Sequence, residues 1–127
     1  MSVIIHLGNA ANTATFSTVD TLTSGTGADT IVLTGAIANA SIDLGGGGDT
    51  LTLGNATNSA SVAHVQTLTG GTGADTITLT TALSNAMSVD LGAGANKLTL
   101  AGVANTGSVS NVNTLVGGSA ADAVTLA

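Results

Sequence analysis

The sequence predicts an all-β parallel solenoid of about five to six coils, 20–26 residues each, in a 46–47-residue double-coil repeat. Three observations carry that prediction. A turn-and-strand word recurs, apolar and Thr residues alternate after each turn, and the composition holds too few large side chains for an ordinary globular core. The word runs Leu22-Thr23-Ser24-Gly25-Thr26-Gly27-Ala28-Asp29-Thr30-Ile31-Val32-Leu33, then Leu68-Thr69-Gly70-Gly71-Thr72-Gly73-Ala74-Asp75-Thr76-Ile77-Thr78-Leu79, then Leu115-Val116-Gly117-Gly118-Ser119-Ala120-Ala121-Asp122-Ala123-Val124-Thr125-Leu126. Between these lies a Gly-richer version, Leu44 to Leu53 and Leu91 to Leu100, so that turns ending at 29, 49, 75, 96 and 122 are separated by 20, 26, 21 and 26 residues.

Composition narrows the class further. With one Phe, no Trp or Tyr and 6% charged residues among 127, the interior must be built from small aliphatics at repeated positions. The positive mean hydropathy argues against disorder. Gly lacks a three-residue period and Pro is absent, which excludes collagen. All seven acids are Asp and the single cationic side chain is Lys97, a balance that cannot neutralise phosphate. The reading therefore expects no nucleic acid, and no apolar run approaches the ~20 residues of a membrane helix. No basic n-region precedes an apolar stretch at the start of the chain, so no cleavable signal peptide is visible.

Taken in order, each turn is followed by alternation. One inward column is expected to hold Ile5, Ile31, Leu51, Ile77, Leu98 and Val124, and the next Leu7, Leu33, Leu53, Leu79, Leu100 and Leu126. His6, Val32, Thr52, Thr78, Thr99 and Thr125 point outward, and a pre-turn column holds Leu22, Leu44, Leu68, Leu91 and Leu115. The triples Phe16, Val19, Leu22 and Val62, Val65, Leu68 and Val109, Val112, Leu115 break the alternation with a spacing of three, read as a bulge leading to a third short side in the long coils. Asn12, Asn39, Asn58, Asn85 and Asn105 mark the far turn and are expected to stack as an amide column. No linker divides residues 1–127, which form one domain with repeats near 1–40, 41–87 and 88–127.

The stretch Gly70 to Thr78 fits Gly-Gly-x-Gly-x-Asp-x-apolar-x at Gly70, Gly71, Gly73, Asp75 and Ile77, and so resembles the repeat-in-toxin (RTX, hemolysin-type) calcium-binding repeats. The copies at Gly25, Gly27, Asp29 and at Gly45, Gly47, Asp49 are near matches, while Asn96 and Asp122 stand in degraded ones. The resemblance implies calcium held between turns of adjacent coils by backbone carbonyls and by Asp29, Asp49 and Asp75. It also implies export by a type I system. Physics points the same way: carboxylates stacked ~4.8 Å apart repel by roughly 3 kcal/mol at an effective dielectric near 20, and a hard cation turns that into attraction.

His6 and His64 are isolated substitutions in the repeat, and no nucleophile has a fixed partner, so no enzymatic activity is expected. The columns run towards both ends with no capping element, which leaves raw strand edges. The expected role is an extracellular or cell-surface structural protein joined head to tail with itself into a filament or layer. The alternatives are a monomeric calcium-binding adhesion module and, from the outward Thr row, an ice-binding protein.

Overall fold

A computed structural model describes residues 1–127 and is all-β, with no helix long and apolar enough to cross a membrane. Fourteen short strands follow one another: β1 (Ile4–His6), β2 (Thr13–Phe16), β3 (Thr21–Thr23), β4 (Thr30–Leu33), β5 (Ala40–Asp43), β6 (Thr50–Thr52), β7 (Ser59–Ala63), β8 (Thr67–Thr69), β9 (Thr76–Leu79), β10 (Ser88–Asp90), β11 (Lys97–Thr99), β12 (Thr106–Ser110), β13 (Thr114–Val116) and β14 (Ala123–Leu126). The odd strands make one seven-stranded parallel sheet and the even strands the other. Each rung thus contributes one strand to each sheet, and the chain climbs seven rungs. Thr, Ile, Val and Leu favour the half-buried strand, and their period of two aims one set between the sheets.

Successive rungs are 17, 20 or 21 residues apart, as the cross-rung bonds Asn12 to Asp29, Asp29 to Asp49 and Asp75 to Asn96 mark out. These are shorter than the expected coils of 20–26 residues, and the reason lies in the repeat. Equivalent words precede β4, β9 and β14, five strands apart. Five strands are two and a half rungs, so successive copies of one word emerge on opposite sheets. The expected columns therefore mixed two faces.

In the even sheet the inward column is Ala14, Ile31, Leu51, Leu68, Val89, Val109 and Leu126. The odd sheet stacks Ile5, Leu22, Ile42, Val62 and Leu79, and beside them Ala60, Ile77, Leu98 and Leu115. The inward and outward assignments hold; their vertical neighbours do not. Nor is there a third side. The spacing of three in Phe16, Val19, Leu22 is a corner from β2 to β3, with Val19 buried as its hub.

The outward Thr row is likewise divided, with Thr52 on β6 and Thr78 on β9 facing opposite directions. A different hydroxyl column, Thr13, Thr30, Thr50, Thr67 and Ser88, runs unbroken up the even sheet. One contiguous core of 22 buried residues fills the space between the sheets. Burying each Leu or Ile in it contributes about 1.5–3 kcal/mol. Ile5, Leu7 and Phe16 at one end and Leu115 and Val124 at the other are only partly covered, and Leu126 is 57% exposed.

Candidate metal site

Nearly every strand is entered through an Asx or Gln residue, and these residues form the site. Their side-chain oxygen accepts the backbone N–H of the strand-entry residue one rung earlier. On the even side Asn12 donates to Asp29, Asp29 to Asp49 and Asp49 to the Gln66 amide oxygen, at 2.8, 2.8 and 2.7 Å. On the odd side Asn58 donates to Asp75, Asp75 to Asn96 and Asn96 to Asn113, at 3.0, 2.9 and 2.8 Å. A third run links Asn105 to Asp122 at 3.1 Å. The next N–H bonds back to the carbonyl below, as Thr30 does to Asn12 and Lys97 to Asp75, so each junction closes in both directions. Buried backbone groups at the corners are satisfied this way.

The second side-chain atom differs from rung to rung. Where the residue is Asn, its amide turns into its own corner: Asn58 Nδ2 donates to the carbonyls of Gly54 and Ala56, and Asn96 Nδ2 to those of Leu91, Gly92 and Asn111. Where it is Asp, an oxygen takes the position of that donor. Asp29 Oδ2 accepts the Ser24 hydroxyl, and Asp122 Oδ2 accepts the Gly118 N–H at 3.1 Å. Asp49 Oδ2 and Asp75 Oδ2 are buried and have no partner. The Asp75 oxygen lies 2.7 Å from where a Cβ on Gly70 would stand, a point that also abuts the Leu91 carbonyl.

Charge follows partnering. Burial pushes the Asp29 carboxyl up, but the hydrogen bonds from Ser24 and Asn12 outweigh it and hold the group below the usual carboxylate range. Burial raises Asp49 more than the Asp29 N–H lowers it, with the Asp29 charge adding to the rise. Asp75 is raised by burial despite both bonds from Asn58. Asp122 is held low, chiefly by the Asn105 amide.

Turn geometry divides the same way. Gly45 and Gly47 before Asp49 have φ of 74° and 121°, and Gly71 and Gly73 before Asp75 have 88° and 114°. Gly25 and Gly27, before Asp29, do not have positive φ. Left-handed backbone of this kind is open chiefly to Gly.

The expected row of three carboxylates is not there. Asp29 and Asp49 are neighbours, but Asp75 lies on the opposite side between Asn58 and Asn96, because its word is displaced by a half-integral number of rungs. The Asn column dissolves for the same reason. Asn12, Asn58 and Asn105 instead donate their amides to Asp29, Asp75 and Asp122, Asn39 accepts the Ser59 hydroxyl, and Asn85 is exposed in a corner.

No three His, Cys, Asp or Glu side chains converge anywhere, so a cation here would rest on one carboxylate and backbone carbonyls. Calcium accepts such all-oxygen sets. The residues fit it at Asp49 and Asp75, whose buried Oδ2 atoms lack any partner, and not at Asp29, Asn96 or Asp122, where a hydroxyl, an amide or a backbone N–H already fills that position.

Sequence reasoning missed Gln66 and Asn113 as ladder members. The signal was present: Asp20-Thr21-Leu22, Gln66-Thr67-Leu68 and Asn113-Thr114-Leu115 are equivalent, and in each the first side chain accepts a cross-rung N–H. No family model, no curated protein and no solved structure matches the chain.

Proposed function

We propose that the chain is a non-enzymatic, extracellular structural module, a calcium-stabilised solenoid that stacks end to end on a second copy of itself. The observation that carries the stacking is the contrast between rungs. Leu51, Leu68 and Leu98 in the middle are 0%, 1% and 0% exposed, whereas Ile5, Phe16, Leu115 and Val124 in the outer rungs are only partly covered. Strands β1 and β2 at one end and β13 and β14 at the other each have one unpaired edge. Another rung laid on either edge completes the parallel pairing and covers the apolar side chains. Such a head-to-tail contact does not close, and so it propagates.

Calcium enters through Asp49 and Asp75. The carbonyls equivalent to those around the Asn96 amide belong to Leu44, Gly45 and His64 at Asp49, while Leu91 supplies the neighbouring carbonyl at Asp75. When bound, the ion supplies the positive partner that these buried oxygens lack. Sedimentation velocity over a range of concentrations, with calcium and with chelator, tests the reading. Growing species in calcium support it, and a fixed monomer at the highest concentration in both conditions overturns the stacking. A fixed monomer that nevertheless melts higher in calcium favours the second reading, a monomeric calcium-binding module, which rests on the same two oxygens.

A further inference from the structure

The recurring word differs at one position that faces the carboxylate. Ser24 stands five residues before Asp29, and Gly70 stands five residues before Asp75. Ser24 donates its hydroxyl to Asp29 Oδ2 and leaves that oxygen partnered. Gly70 offers nothing, and Asp75 Oδ2 is left buried and bare. The rest of the two surroundings correspond: an Asn amide and N–H on Oδ1 from the rung below, and an N–H given to the rung above. Asp49 also lacks a hydroxyl nearby, since its turn reads Leu44-Gly45-Gly46-Gly47-Gly48. Left-handed glycine pairs accompany both bare oxygens and are missing from the turn that Ser24 opens.

We infer that Ser24 is an internal substitute for the cation: its hydroxyl occupies the position a metal takes at the other acidic turns, so that each chain binds two calcium ions, at Asp49 and Asp75, and none at Asp29. The inference rests on the calcium reading above and assigns its stoichiometry to a single side chain. A hydroxyl hydrogen is a small donor that neutralises nothing, yet it satisfies the one lone pair that burial exposes to no solvent. The turn closed by Ser24 is then complete when the chain folds in the absence of metal, while the turns at Asp49 and Asp75 are not.

Calorimetric titration of the full chain with calcium chloride measures the count. The wild type takes two ions, Ser24→Gly takes three, Asp75→Asn takes one because the new amide fills the position as Asn96 does, and Asp29→Asn keeps two. Circular dichroism in chelator runs alongside, and there Ser24→Gly melts below the wild type. A wild type that binds two while Ser24→Gly also binds two overturns the role of Ser24 and leaves the calcium reading standing. A wild type that binds three, with Asp29→Asn reduced to two, also overturns it. A wild type that binds none removes both.

Discussion

Asp29 and Asp75 close two nearly identical words on opposite sides of the solenoid, yet one carboxylate is fully partnered and the other keeps a buried oxygen with no donor. Both accept an Asn N–H and an Asn amide on Oδ1, and both pass an N–H to the rung above. The ladder is therefore the constant part of the design, and it holds whether the residue is Asp, Asn or Gln. The second oxygen is the variable part. What meets it, a hydroxyl, a backbone N–H or nothing, separates turns that only build the fold from turns able to take a cation.

The largest test removes what the two turns share. Leu22 and Leu68 sit two residues before Ser24 and Gly70, at 0% and 1% exposure, in different sheets. Truncation of either to Ala is expected to destabilise the chain by about 2–5 kcal/mol, the range for a buried Leu. Denaturant unfolding should give similar values for the two variants, and a gap wider than that range would show that the turns rest on unequal supports.

Next comes the backbone. A Cβ at Gly27 or at Gly73 would meet the backbone of Ala10 or Ala56, so Ala at either position strains the stack. Gly73 also has φ of 114°, and Gly73→Ala is expected to lose about 1–2 kcal/mol more than Gly27→Ala from the left-handed conformation alone. Equal losses by thermal melting would mean that the glycine conformations do not distinguish the turns.

A smaller effect concerns charge. In chelator at neutral pH, Asp75→Asn should stabilise the chain by about 1–3 kcal/mol, the range for relieving an unpartnered buried polar group. The gain should shrink in acid. Asp75 has its pKa raised by burial, so its ionisation penalty grows as pH rises through the window above the unfolded value and vanishes below it. Asp49 behaves in the same sense. Asp29 has the opposite sign: its contribution is present above the unfolded value and is lost as pH falls towards its lowered folded value. Melting of wild type and Asp75→Asn across the carboxylate range checks both signs, and an advantage for Asn that persists undiminished in acid would contradict them.

Much of this fold was legible because strand physics is local. Period-two alternation places Ile31, Leu51 and Leu68 inward and Thr30, Thr52 and Thr67 outward with no knowledge of what lies above them. Stacking is not local. Leu68 was grouped with Leu22 and Leu44 because their words match, but it lies between Leu51 and Val89, since the repeat advances by two and a half rungs. The corner Ser17-Thr18-Val19-Asp20 gave the clue, a buried Val followed by an Asx that opens a strand, and it read as a bulge because only one sheet was in view. The acids of the candidate site were found from their Gly-rich turns. Which of them lack a partner could not be, because Ser24 differs from Gly70 by one hydroxymethyl whose direction only the folded corner reveals.

The most direct measurement is the melting temperature of the wild type and of the double variant Asp49→Asn with Asp75→Asn, each in chelator and in saturating calcium. The account predicts that the wild type melts higher in calcium, while the double variant ignores calcium and melts above the wild type in chelator. A wild type indifferent to calcium, or a double variant that melts below it in chelator, would contradict the claim that these two buried oxygens await a cation.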